Sequence, residues 1–91
     1  MKIQDPIQEI LVIAQEEAAE VIQEISKCQR FGIDEPHRDG MLHRERLAQE
    51  VGDLMCMIDL MMDRGIVDAG QVDLARQKKQ DKLKIYSRIY Q

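Results

Sequence analysis

Apolar side chains recur every three to four residues along most of this 91-residue chain, the interval that gathers them on one side of an α-helix. In the first such stretch Ile7, Leu11, Ala14, Ala18, Val21, Ile22 and Ile25 form a stripe. Glu16, Glu17, Glu20 and Glu24 fall together in an adjoining arc of roughly 100°. Asp5-Pro6 supplies an N-cap and a first helical residue, and Phe31-Gly32 a stop, so the predicted helix ends near Arg30. The second stretch carries Leu47, Val51, Leu54, Met57, Ile58 and Met61 on one face. It is predicted to start between Met41 and Arg44 and to run to Arg64, with Gly65 ending it and Gly52 opposite the apolar face. Asp68 caps a third helix, from Ala69 to Ser87 or beyond, whose stripe is Val72, Leu83, Tyr86 and Tyr90. Lys79 projects into that stripe, and Leu74 and Ile85 lie on the other side. Gly32, Asp34, Pro36, Asp39 and Gly40 read as the loop between the first two helices. The fold class is all-α, a helical bundle of three to four helices per chain.

The acidic positions interrupt this pattern in an informative way. Glu17 lies next to the apolar stripe of the first helix, close to the wheel positions of Ile10 and Val21. Glu50 projects inside the apolar face of the second, between Met57 and Leu54, with Asp53 at its edge. An unpaired carboxylate in an apolar setting costs several kcal/mol or takes up a proton, and several converging there repel one another. Oxygen-only ligands of this kind suit a hard cation such as Mg²⁺ or Mn²⁺. Two antiparallel helices clamping a divalent ion is the reading these positions support. For Glu16, Glu20 and Glu24 alone, a solvated helix face is the plainer account.

Length and charge narrow the partners. Residues 1–91 make a single domain whose core is marginal unless shared, which predicts completion of the bundle by oligomerisation, as a dimer or tetramer. A net charge of −4 and only three aromatic residues argue against nucleic-acid binding. The longest unbroken apolar run, Leu54 to Ile58, is far short of a membrane span. Cys28 and Cys56 both fall at or beside apolar helix positions, which predicts buried free thiols in a reducing cytoplasm.

The pairing of Glu16-Glu17-Ala18-Ala19-Glu20 with Glu50-Val51-Gly52-Asp53 resembles the motif of the MazG-like all-α nucleoside triphosphate pyrophosphohydrolases. Ser26-Lys27-Cys28-Gln29-Arg30-Phe31-Gly32 looks like the end of their first helix, and Lys79-Gln80-Asp81-Lys82-Leu83 like their lysine-bearing last helix. The twenty-nine residues between Glu20 and Glu50 slightly exceed the usual gap in that superfamily. The resemblance implies hydrolysis of a nucleoside triphosphate between its α- and β-phosphates, giving the monophosphate and pyrophosphate. By position it makes Glu17, Glu20, Glu50 and Asp53 the ligands of Mg²⁺, with Mn²⁺ able to substitute. Glu16 and Glu17 would be catalytic, Glu16 by orienting the attacking water, and Lys79, Lys82 and Arg30 would meet the substrate.

Two other metal centres fit worse. No Glu-x-x-His occurs, as a di-iron bundle requires, and Cys28, His37, His43 and Cys56 lack zinc spacing. His37 and His43 are read as loop histidines. A non-catalytic helical dimerisation or adaptor module remains the competing reading, since the methionine cluster Met55, Met57, Met61 and Met62 would suit an adaptable interface. Such a module has no use for Glu50.

Overall fold

The structure, a computed structural model, describes residues 5–91. Three helices follow in order: α1 Pro6–Phe31, α2 His43–Asp63 and α3 Ala69–Tyr86. Their ends are set by local chemistry. The Asp5 carboxylate accepts the Gln8 N–H at 2.8 Å, and Asp68 accepts that of Gln71 at 2.9 Å. Gly32 (φ 97°) and Gly65 (φ 70°) take the left-handed conformations that stop α1 and turn the chain out of α2. At the start of α2 the Glu45 carboxylate reaches back to the Leu42 N–H, 2.9 Å away.

The α1–α2 connection is pinned rather than loose. Pro36 and Leu42 form an isolated antiparallel bridge, and the His37 N–H donates to the Met41 carbonyl at 2.7 Å. The N–H groups of His43 and Arg44 return to the carbonyls of Glu35 and Ile33. Arg44 pairs with Asp34 at 2.7 Å and Arg46 with Asp39 at 2.6 Å. The Met41 N–H and the Arg46 guanidinium, with smaller help from His37, hold the Asp39 carboxyl below its ordinary pKa of 3.8.

α1 and α2 pack as an antiparallel hairpin around Ile10, Ala14 and Met57, with Ile13, Leu60, Met61 and Ile66 closing over them. The α1 face turned to α2 is not the aliphatic stripe seen in the sequence. Buried and half-buried positions run Ile10, Ala14, Glu17, Val21, Glu24, Cys28, a seam of alternating four- and three-residue steps. Ile7, Leu11, Ile22 and Ile25 lie roughly 80° around the helix and remain exposed. The stripe predicted from hydropathy is therefore a second apolar face. Cys28 is buried in the seam as expected, whereas Cys56 points outward and is exposed; both thiols are free.

The expected bundle is not closed within one chain. α3 makes at most marginal contact with the hairpin and buries none of its residues. Leu74, Ile85, Tyr86, Ile89 and Tyr90 are exposed on it and just beyond it. The result is a flat molecule, 41 × 38 × 17 Å, with a radius of gyration of 16.1 Å; a compact chain of this length has about 12 Å. Its accessible surface is 7225 Å², against about 5,500 Å² for a compact monomer of the same mass.

Candidate metal centre and the adjoining cleft

Midway along the hairpin, Glu17 of α1 meets Glu50 and Asp53 of α2. One carboxylate oxygen from each lies within 4.8 Å of the others, with Glu17 and Glu50 half-buried and Asp53 exposed. The placement follows from helical geometry. Glu17 occupies a seam position one turn from Ala14 and Val21, and Glu50 a seam position two turns before Met57. Asp53, three residues on from Glu50, stands above it at the seam's edge.

No described basic residue neutralises these groups. Among the described residues no Lys, Arg or His forms an ion pair with Glu17, Glu20, Glu50 or Asp53. Glu50 bears the consequence. Its pKa is raised above 4.5, first by burial and then by the charges of Glu20, Asp53, Glu17 and Glu24. The donor set fits a hard divalent ion: it is all oxygen, carries concentrated negative charge, and is open to solvent on the Asp53 side. Octahedral Mg²⁺ holds oxygens at about 2.1 Å, so its ligand atoms lie about 3 to 4 Å from one another.

Glu16 and Glu20 are both exposed and stand outside the group of three. The charge of Glu20 is nevertheless the largest of those that raise the Glu50 pKa, which places Glu20 on the same side of the hairpin as the three. Arg30 is exposed at the end of α1, its guanidinium 5.1 Å from the centre of the Phe31 ring rather than beside the carboxylates. Lys79 and Lys82 are exposed on α3 and no contact within the chain brings them to the centre.

Two residues missed by the sequence reading lie between the carboxylates and the loop. Glu24, assigned to the solvated arc, is 3% exposed; one of its oxygens pairs with Lys27 at 3.3 Å and the other has no hydrogen-bond partner. His43, read as a loop histidine, is the first residue of α2 and 4% exposed, and its buried Nδ1 likewise has no partner. Its ring stacks on Phe31, centroids 5.6 Å apart and planes 21° apart, and His37 meets it edge-on at 5.8 Å. Seam periodicity (Ile10, Ala14, Glu17, Val21, Glu24) was the signal that would have found Glu24. His43 is buried by the loop's hydrogen bonds, which no local pattern announces.

These aromatic groups form one wall of an open cleft of about 700 Å³, lined also by Lys27, Arg30 and Arg38. No described helix is long and apolar enough to cross a membrane. In comparisons with family models, with curated proteins and with solved structures, the chain finds no match.

Proposed function

We propose that this chain is a metal-dependent nucleoside triphosphate pyrophosphohydrolase of the MazG-like all-α kind, cleaving ribo- or deoxyribonucleoside triphosphates between the α- and β-phosphates. The observation that carries the reading is the convergence of Glu17, Glu50 and Asp53 with no ion pair to balance them among the described residues. Glu17, Glu50 and Asp53, joined by Glu20, would hold Mg²⁺, with Mn²⁺ able to substitute. Bound there, the ion would polarise the phosphorus centre and acidify water. Glu16, one residue before a ligand and open to solvent, would orient the attacking water, and a glutamate hydrogen-bonded to it would take its proton. The acidic centre repels a polyphosphate until the ion is in place, so metal and substrate bind together.

The same reading includes a homo-oligomer. Roughly 1,700 Å² of surface in excess of a compact monomer exceeds the ~800 Å² per partner of a standard interface. The apolar faces of α1 and α3 account for much of it. α3 and the residues after it carry six basic residues against two acidic ones, so a second copy's α3 laid near the centre would bring Lys79 and Lys82 to the phosphates. Reduced thiols at Cys28 and Cys56 fit the cytoplasm.

The deciding experiment is pyrophosphate release from a panel of nucleoside triphosphates with Mg²⁺, Mn²⁺ or chelator. Metal-dependent release with a monophosphate product supports the proposal. The exposed apolar area also suits a non-catalytic adaptor, and the two part at Glu50→Gln: an unchanged metal affinity in that variant, with no turnover in the parent, leaves the adaptor.

A further inference from the structure

The cleft beside the carboxylates has a composition of its own. In a chain of net charge −4, its lining carries three cations, Lys27, Arg30 and Arg38, against one carboxylate, Glu35. Lys27 is already engaged by Glu24, which leaves the two guanidinium groups as the donors without a carboxylate partner. Phe31, the chain's only phenylalanine, lines the cleft with them, 54% exposed and stacked on the buried His43 ring. An exposed aromatic face held rigid from behind is a stacking platform for a flat ring. The guanidinium of the exposed Arg30 lies over that ring, so a base stacked there would displace it or be covered by it.

Position ties the cleft to the metal centre. From Glu20 to Lys27 on α1, and from Glu50 to His43 on α2, the separation is seven residues, or about 10 Å along each helix. That is about the reach of a nucleoside with its first phosphate. Glu24 bridges the two regions, pairing with Lys27 on the cleft side and acting on Glu50 on the other.

Resting on the pyrophosphohydrolase reading, we infer that this cleft seats the base of the nucleotide and that its lining selects guanine. Guanine presents O6 and N7 as adjacent acceptors, which match the planar fork of an arginine. Its N1–H and N2–H₂ donors match a carboxylate, the role Glu35 can fill. Adenine offers a donor beside N7, and a pyrimidine covers less of Phe31. Arg38 supplies the fork, Glu35 the acceptor and Phe31 the platform.

Binding is measured by calorimetry with GMP, AMP, CMP and UMP on the full chain with Mg²⁺ present; a monophosphate has no anhydride bond, so hydrolysis plays no part. GMP is expected to bind about tenfold more tightly than AMP, and Arg38→Ala or Glu35→Gln to erase that margin. Both side chains are exposed, so neither change threatens the fold. Phe31→Leu is expected to weaken all four ligands together. Equal affinities for the four, or a GMP preference untouched by Arg38→Ala and Glu35→Gln, would overturn the assignment. The two proposals fail separately. Metal-dependent pyrophosphate release with no base preference removes the cleft and keeps the reaction; GMP binding without any release keeps the cleft and removes the reaction.

Discussion

Glu24 and Glu50 sit on facing sides of the same helical hairpin, and the protein treats them in opposite ways. Glu24 is the more deeply buried, yet it has Lys27 at 3.3 Å. Glu50 is only half-buried, and every charge acting on it is negative. Burial alone therefore does not single out the carboxylate proposed to hold the ion. A buried acid with its own cation is a structural pair whose net worth is small, because desolvation offsets attraction. An acid surrounded by other acids is relieved by taking up a proton or by a cation from outside the chain.

The largest effect expected from this contrast is on metal binding and turnover. Glu50→Gln should lower metal-dependent pyrophosphate release by at least about 100-fold. Glu24→Gln should leave metal affinity within a few-fold while costing about 1–3 kcal/mol in denaturant unfolding, the loss of a partly exposed buried pair. Similar metal affinity in the two variants would erase the distinction.

Next in size is the effect of the ion on stability. Saturation at a hundred times Kd adds about 2.7 kcal/mol, which for a small domain raises Tm by on the order of 10 °C or more. Glu24→Gln should keep that shift and Glu50→Gln lose it, as read by thermal unfolding with and without chelator.

Proton binding gives a smaller test with a definite sign. The folded state takes up a proton at Glu50 at a higher pH than the unfolded state, because the folded pKa is raised above 4.5. Glu50 thus costs stability at neutral pH, and that cost falls as pH drops through the raised value, vanishing below about 4.5. Metal affinity should decline over the same interval. In the metal-free protein, the stability gained by Glu50→Gln should accordingly be greatest near pH 7 and shrink on acidification. Asp39 acts in the other sense: its depressed pKa stabilises the loop above 3.8 and that contribution is lost at lower pH.

The smallest effect concerns Gly52, which lies between the two acids of α2 in sequence but faces away from the seam. A Cβ added there meets nothing within 4 Å. Gly52→Ala should stabilise the fold by about 0.5–1 kcal/mol, with metal binding unchanged. A loss of stability would show that this side of α2 is covered in the assembled protein.

Much of the architecture was legible because it is decided locally. Asp5-Pro6, Phe31-Gly32, Gly65 and Asp68 each fix a helix end through contacts within a few residues, and those four ends fall within a residue or two of where the signals place them. Glu50 was also legible, since a carboxylate inside an apolar arc stands out on a wheel. The choice between two apolar faces of α1 was not. Ile7, Leu11, Ile22 and Ile25 carry more hydrocarbon than Ile10, Ala14, Val21 and Cys28, so hydropathy favours the face that α2 leaves bare. Glu24 was misplaced for that reason, and Cys56 by the corresponding choice on α2. Lys79 and Lys82 lie beyond what one chain settles, because α3 is scarcely held by its own hairpin.

That loosely held arm has a consequence in time. A helical amide resists exchange with solvent, and a helical peptide bond resists a protease, only while something keeps the helix from opening. No side chain in the described hairpin is completely shut away, and on α3 even Val72 and Leu83 are only half-buried. In an isolated copy, α3 is therefore expected to exchange its amides and yield to a protease before the hairpin opens.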